Sequence, residues 1–238
     1  MQAKPMIKTQ LETLWAFIRA DLAVLDFETW LYGQEGLEVA LGAELYLAML
    51  SVNYRKMEEV FDIKQALKDV LPAPTACECH MLPNLAVVPM GMNGLDQRVF
   101  ATVEEVVVAW PEQSWLSSAR CRTCGQDWLI AAEELIYDDH LLRRLTAEET
   151  DDIEGGKAWP TDFDTYEKVL VAARDLSRPC RFIDPMSPAL VYVVRNLIAD
   201  RSNIQTAEIA WMMGIDVEQV EVLKAEALKP DSTNHGAV

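Results

Sequence analysis

The sequence predicts an α+β protein in which helices at both ends of the chain flank a central region of short strands. Three observations predict this arrangement. Apolar residues recur at three- and four-residue spacing near the N-terminus, short β-branched runs separated by turns fill the middle, and helical spacing resumes from Trp159. We therefore expect an N-terminal helical segment (1–74), a central α/β region (75–150) and a C-terminal helical domain (151–238).

The N-terminal segment is predicted to form two or three amphipathic helices. Its apolar residues between positions 11 and 71 recur at the spacing of one helix face. The glycines of YGQEG (32–36) interrupt this pattern. LPAP (71–74) ends it, because proline cannot continue a helix and disfavours helical geometry in the residue before it. We expect the last helix to end at about Val70.

The central region is predicted to contain short strands and one β-hairpin. LAVVPM (85–90) and QRVFA (97–101) have the composition of strands, and VEEVVVAW (103–110) is typical of either a strand or a short helix. WLSSAR (115–120) and DWLIAAEE (127–134) flank the turn CRTCG. We expect these two flanking runs to pair as the hairpin.

Two further segments follow the hairpin. YDDHLLRRL (137–145) is predicted to be a helix that begins in an acidic turn, where negative side chains favour the positive end of the helix dipole. EETDDIEGGK (148–157) combines a run of charge with a glycine pair, which is typical of a linker. Between residues 133 and 164, eleven acidic residues stand against three basic ones, so this is the most negative part of the chain.

The net charge of -17 is the most informative bulk property of the sequence. A nucleic-acid surface gains its energy from lysines and arginines that neutralise phosphates, so this chain would repel nucleic acid. A strong negative charge favours solubility, and it also favours capture of a basic protein by electrostatic steering. We therefore expect a basic protein partner and no nucleic acid.

The expected compartment is the cytoplasm. No stretch approaches the roughly 18 apolar residues that a membrane helix needs, so we expect no membrane association. The N-terminal MQAKPMIKTQ has lysines but no apolar core leading to a cleavage site. In a reducing cytosol, the five cysteines are better interpreted as metal ligands, catalytic thiols or buried apolar side chains than as disulfides.

The four cysteines at 77, 79, 121 and 124 predict a structural zinc site, which makes the central region zinc-ribbon-like. Cys121 and Cys124 flank a hairpin turn and are followed by glycine, as in a zinc knuckle. The sequence ACECH supplies Cys77 and Cys79, and His80 can replace either of these two. Four thiolates leave no open position for water, so a catalytic zinc is disfavoured.

Two alternatives remain for these cysteines. They can be two unrelated pairs of reduced thiols, or Cys121 and Cys124 can be a redox pair. Redox pairs of this spacing lie at a helix N-terminus, whereas here a β-like run follows the second cysteine. Cys180 is interpreted as a small buried apolar residue.

The C-terminal sequence from 203 to 228 has the outline of a helix-turn-helix unit, with Gly214 at the turn. The would-be recognition helix is acidic, which opposes binding in a DNA groove. Its acidic residues are Asp216, Glu218, Glu221 and Glu226. We interpret the unit as a helical packing element. Its expected core residues are Ile209, Met213, Val220 and Leu223.

No catalytic residue is predicted, and the chain is expected not to be an enzyme. The sequence contains none of the motifs GxSxG, GxxxxGK[ST] or HExxH. The YDDH sequence (137–140) offers a carboxylate and an imidazole for acid–base chemistry or metal-dependent hydrolysis. A solvated helix start is the simpler interpretation.

The run FETWLYGQEGLEVALGAELYLAMLSVNYR (27–55) and the run CRTCGQDWLIAAEELIYDD (121–139) resemble bacterial immunity proteins encoded beside polymorphic or contact-dependent toxins. The resemblance covers roughly residues 27–145. It implies a stoichiometric inhibitor without catalysis, which binds one cognate toxin domain in the cytosol.

An acidic inhibitor suits a nuclease-type toxin, because carboxylates can replace phosphates in a basic active-site cleft. The residues expected at this interface are Glu133, Glu134, Asp138, Asp139, Asp151, Asp152 and Glu154. The first four are expected near the hairpin and the last three in a mobile linker. The alternative function is a cytosolic regulator, whose zinc module and helix-turn-helix-like unit bind protein or DNA.

Overall fold

The computed structural model describes residues 7–91, 94–109, 111, 113–182 and 184–229. Within these residues the chain forms eleven helices and five strands. The helices are α1 (Lys8–Ile18), α2 (Val24–Tyr32), α3 (Leu37–Leu41), α4 (Ala43–Ser51), α5 (Met57–Val70), α6 (Leu95–Phe100), α7 (Ala147–Glu154), α8 (Tyr166–Asp175), α9 (Pro188–Asp200), α10 (Thr206–Met213) and α11 (Val217–Ala227). The strands are β1 (Leu85–Pro89), β2 (Val103–Val108), β3 (Leu116–Cys121), β4 (Asp127–Glu133) and β5 (Asp139–Arg144).

The five strands form one antiparallel sheet in the order β1-β5-β4-β3-β2. Helices precede the sheet in the chain and helices follow it, so the predicted α+β class is confirmed. None of the helices in the described residues combines the length and apolar character that a bilayer crossing requires.

The chain divides into two compact units. Unit 1 consists of Met1–Val106 together with Ala119–Trp128, and unit 2 consists of Val107–Ser118 together with Leu129–Val238. The β3–β4 hairpin thus contributes its tip to unit 1 and its base to unit 2. The three sequence segments 1–74, 75–150 and 151–238 stay a prediction.

Unit 1 is built around the N-terminal helices. Phe17 of α1 stacks on Phe27 of α2 with ring centroids 3.7 Å apart, and the edge of Tyr54 meets both rings. Leu31 and Leu67 are fully buried beside them. Residues 7–74 contain five helices where two or three were predicted, but the last of these five ends at Val70 as expected.

The C-terminal helices of unit 2 confirm the predicted core of the helix-turn-helix-like unit. α10 packs against α8 and α11, and α11 packs against α9. Gly214 between α10 and α11 has a φ of +67°, a left-handed conformation that glycine adopts without strain. The predicted core side chains Ile209, Met213, Val220 and Leu223 are all fully buried.

The predicted strands and hairpin of the central region are confirmed in part. β1 lies within LAVVPM, β2 within VEEVVVAW, and β3 and β4 flank the cysteine turn. Trp110 lies outside the described residues. QRVFA was wrongly predicted as a strand, because its first four residues lie in α6, which starts after Gly94 at a φ of +64°.

The two predictions for the segments after the hairpin were wrong. YDDHLLRRL holds strand β5 rather than a helix. Asp138 has a φ of +56°, which lies outside the right-handed helical range and so interrupts a helix through this segment, and β5 lies inside the sheet between β1 and β4. EETDDIEGGK holds most of helix α7 rather than a linker, since Thr146 and Glu149 form a capping box at its N-terminus.

Candidate metal centre

The four predicted cysteines lie together in unit 1. The Sγ atoms of Cys77, Cys79, Cys121 and Cys124 all lie within 4.8 Å of one another. Cys79 and Cys121 are buried, Cys77 is half-buried and Cys124 is exposed, and none of them forms a disulfide. Residues separated by more than forty positions in the chain therefore meet at one point.

The turn between β3 and β4 presents one pair of thiols. The N–H of Gly125 donates to the carbonyl of Cys121 at 2.8 Å, and the N–H of Cys121 donates to the carbonyl of Gln126 at 2.9 Å. Gly125 has a φ of +75°, which a residue with a Cβ rarely adopts. This tight turn brings the side chains of Cys121 and Cys124 to the same side.

The second pair of thiols follows the proline-rich segment LPAP (71–74) after α5, and it is anchored by Arg19, the residue after α1. Arg19 donates to the carboxylate of Glu78 at 2.7 Å and to the carbonyl of Ala76 at 3.4 Å. Glu78 stands between Cys77 and Cys79, so this ion pair fixes the loop that carries both of them. Contacts with Arg19 and hydrogen bonds within the loop itself together hold this loop in place.

Direct contacts join the two halves of the site. The hydroxyl of Thr123 donates to the carbonyl of Pro74 at 3.0 Å. Arg122 donates to the carbonyl oxygens of Lys68 at 3.0 Å and Leu71 at 2.6 Å, and its guanidinium lies 5.5 Å from the ring centroid of Trp15. These bonds hold the hairpin turn against the end of α5 independently of any ion.

The sulfur positions fit a tetrahedral metal ion. Zinc–sulfur bonds of about 2.3 Å in a tetrahedron separate the sulfurs by about 3.8 Å, so a limit of 4.8 Å leaves room for a small contraction on binding. The cluster contains sulfur alone, and soft thiolate ligands select zinc over magnesium or calcium. A closed set of four ligands suits a structural ion.

Ionisation of all four thiols depends on a bound cation. Burial raises the pKa of Cys79 and of Cys77. Burial opposes ionisation of Cys121 as well, but hydrogen bonds from Thr102 and from the backbone N–H groups of Cys124 and Thr123 lower its pKa to about 7. Four thiolates this close repel one another, so full ionisation requires a positive ion among them.

His80 and Cys180 lie outside the sulfur cluster. His80 is exposed, and its Nδ1 donates to the carbonyl oxygen of Cys77 at 3.0 Å. Cys180 is half-buried rather than buried, and it belongs to unit 2. Sequence reasoning missed Thr102, whose Oγ1 lies 3.5 Å from the Sγ of Cys121. No local motif connects these two residues.

Two residues predicted at a partner interface are fully buried, and Glu133 is the first of them. Its carboxylate accepts hydrogen bonds from the backbone N–H groups of Leu135 at 3.1 Å and Ile136 at 3.0 Å. It also accepts from the N–H of Tyr137 and from the hydroxyl of Tyr166. Glu133 is therefore a structural anchor of the turn after β4, and a partner cannot reach it.

Asp139 is the second buried carboxylate. Arg178 forms a two-pronged ion pair with it, at 2.7 Å from Nε and 2.9 Å from Nη2, and Arg181 lies 3.3 Å away. Asp138 is half-buried and pairs with Arg181 at 3.5 Å. The carboxylates of YDDH are therefore engaged in ion pairs, and the neighbouring His140 is a half-buried residue of β5.

The other predicted interface residues remain accessible. Glu134, Asp151 and Glu154 are exposed, and Asp152 is half-buried and pairs with Lys157 at 2.9 Å. The last three lie on α7 or at its end, so they belong to a capped helix rather than to a mobile linker.

The fold and the site define an α+β protein with a four-cysteine cluster that could hold a metal such as zinc. Comparison of the chain with protein-family models, with curated proteins and with solved structures gives no significant match. Its function must therefore be argued from the chemistry of its own residues.

Proposed function

We propose that this chain is a non-catalytic inhibitor of the immunity-protein kind, which binds a basic protein domain and carries a structural zinc ion. Cys77, Cys79, Cys121 and Cys124 hold the zinc. The ion would join the hairpin tip to the loop after α5 and has no catalytic role, because four thiolates fill its coordination shell.

The observation that carries the partner proposal is the distribution of charge. Unit 2 has 22 acidic and 11 basic residues, a net charge of -11 if histidine is neutral. Unit 1 has 16 acidic and 10 basic residues, a net charge of -6. A basic partner would therefore be steered toward unit 2.

The proposed interface uses the accessible carboxylates. Glu134 and Asp151 are its central residues, because both are exposed and lie in unit 2. Glu154 and the half-buried Asp138 and Asp152 extend it. Glu133 and Asp139 are excluded from the proposed interface. Their carboxylates are fully buried and bind other groups within the fold.

The alternative function as a DNA-binding regulator receives less support. α11 would be the recognition helix of the helix-turn-helix-like unit. Asp216, Glu218 and Glu221 at the start and on the outer side of α11 are exposed. This surface repels phosphates, so we keep a protein partner as the proposal.

The test is to isolate the untagged protein from its native cells at low ionic strength and to identify the proteins that co-elute. We expect a basic protein domain that dissociates as salt is raised, because exposed charges are screened at high salt. Recovery of nucleic acid without such a domain would contradict the proposal.

A pair of charge-reversed variants sharpens this test. E134K/D151K should slow association with the captured domain by at least about tenfold at low salt. E35K/D69K is the matched control, because it makes the same change in net charge at two exposed positions of unit 1. Equal association rates for the two variants would exclude Glu134 and Asp151 from the interface.

A further inference from the structure

Unit 2 contains a cleft of about 470 Å³ that the sequence did not indicate. Three aromatic side chains line it, those of Trp115, Tyr166 and Tyr192. Two carboxylates, those of Glu134 and Asp200, lie along the same cleft. The cleft thus combines ring surface with negative charge.

Trp115 and Tyr166 offer ring surface to a ligand, because their polar atoms are already engaged within the fold. The indole N–H of Trp115 donates to the carbonyl of Phe163 at 3.0 Å, and the hydroxyl of Tyr166 donates to the buried carboxylate of Glu133. The rings of Trp115 and Tyr166 meet edge to face, with centroids 5.7 Å apart and an interplanar angle of 67°. Tyr192 is 54% exposed and lies on α9.

The two carboxylates of the cleft are available to accept hydrogen bonds from a ligand. Glu134 and Asp200 are both exposed, and neither forms an ion pair within the described part of the chain. The buried carboxylate of Glu133 lies behind the Tyr166 hydroxyl and adds to the negative potential. Cations bind over aromatic faces within about 6 Å, and more strongly where carboxylates are near.

We propose that this cleft receives an arginine side chain of the basic partner. The inference rests on the proposed function and names the contact through which unit 2 would recognise that partner. A guanidinium is planar and weakly hydrated, so it stacks on aromatic rings while it donates to a carboxylate, whereas an ammonium group is a compact, strongly hydrated charge. Trp115 and Tyr192 supply stacking surface, and Glu134 and Asp200 supply acceptors.

The first test needs no partner. The probe is a blocked Gly-Arg-Gly peptide, and the readout is the indole ¹⁵N–¹H resonance of Trp115, assigned with the W115F variant. We expect a saturable shift during titration up to about 20 mM, where a millimolar site is mostly filled. The citrulline peptide, which has a similar shape without charge, should bind at least about fivefold more weakly.

Matched variants show whether the shift reports the cleft. E134Q/D200N and Y192A should each weaken binding of the arginine peptide at least about fivefold. The controls are E35Q/D69N and Y32A, which alter exposed residues of unit 1 and should leave binding unchanged. No saturable shift, equal binding of the citrulline peptide, or tighter binding of the lysine counterpart would each overturn the proposal.

This inference and the proposed function can fail separately. If the captured basic domain binds E134Q/D200N and Y192A as tightly as the unchanged protein, the cleft proposal is wrong and the inhibitor proposal stands. If the arginine peptide binds in the cleft but native cells yield no basic domain, the cleft is an arginine-binding site and the inhibitor proposal is wrong.

Discussion

Glu133 is a carboxylate whose partners come from two places in the chain. Three backbone N–H groups of the turn after β4 and the hydroxyl of Tyr166 on α8 surround it. A buried carboxylate is stable only if such donors replace the water that it loses. Its carboxylate therefore stabilises the fold and makes no direct contact with a partner.

Glu133→Gln should lower the free energy of unfolding by about 3 kcal/mol, because the amide turns a donor toward N–H groups that need an acceptor. Urea denaturation followed by circular dichroism measures this change. Glu134→Gln is the control, since the neighbouring side chain is exposed and should change stability by less than about 0.5 kcal/mol. Similar losses for both variants would contradict the anchoring role.

Cys124 offers a direct test of the metal centre, because it is the exposed member of the cluster and least involved in the core. Cys124→Ser should reduce the zinc content of the purified protein from one ion per chain to a small fraction, as measured by elemental analysis. A serine hydroxyl is a poor zinc ligand.

The matched control for this variant is Cys180→Ser, which removes a thiol outside the cluster and should leave the zinc content at one per chain. Protein that is purified without added metal, contains no zinc and remains folded would contradict the zinc proposal.

The role of individual residues was predictable from the sequence where the residues that indicate it are close together in the chain. The spacings CxC and CxxC with a following glycine identified the four cysteines that come together. The burial of Glu133 and Asp139 was not predictable in this way. Their partners Tyr166 and Arg178 are 33 and 39 residues away in the chain, so a local acidic run looked like an exposed surface.

At the scale of elements, helix α7 depends on its first turn. The hydroxyl of Thr146 accepts from the N–H of Glu149 at 3.2 Å, and the carboxylate of Glu149 accepts from the N–H of Thr146 at 2.9 Å. Thr146→Ala should lower the free energy of unfolding by about 1 kcal/mol, because it removes this cap. Urea denaturation measures the loss. Thr161→Ala, in an exposed loop, should have almost no effect.

The same helix predicts a dependence on pH. The hydrogen bonds from Arg143, aided by the Thr146 N–H and partly opposed by burial, lower the pKa of Glu149 below its usual value. A carboxylate whose pKa is lower in the folded state stabilises that state above its unfolded pKa, and the contribution is lost as pH falls through the folded pKa.

Glu149→Gln should therefore cost stability at neutral pH, and the difference from the unchanged protein should shrink as the pH falls below the usual pKa of a glutamate and then through the lower pKa of Glu149 in the folded protein. Urea denaturation across this range measures both quantities. Glu148→Gln is the control within the same turn, since Glu148 is exposed. A difference that stays constant down to the acid limit would contradict the role of the Glu149 charge.

The elements that were missed had competing signals. For α7, the pattern Thr-x-x-Glu at 146–149 was present, but the charge and glycines beyond it favoured a linker. β5 was missed because tertiary contacts determine it. The local sequence pattern does not show the positive φ of Asp138 or the neighbouring strands on both sides. The helices of 188–227 were found because their apolar spacing is strong and their ends carry clear stops.

At the scale of the whole molecule, the proposed zinc site should stabilise unit 1 more than unit 2, because all four cysteines belong to unit 1. Removal of zinc by a strong chelator should raise amide hydrogen exchange at least about tenfold in the segment 71–82 and in the β3–β4 turn. The helices α9 to α11 of unit 2 serve as the internal control and should change little. A uniform change across the chain would contradict a local role.

Because Ala119–Trp128 completes unit 1, the first unit cannot be finished from the N-terminal part of the nascent chain alone. During translation, Cys77 and Cys79 leave the ribosome as a lone thiol pair, and the other two ligands emerge only after some forty more residues. The newborn chain thus passes through an interval in which it can hold metal only incompletely. The order of synthesis therefore sets the earliest moment at which a metal ion could bind all four thiols.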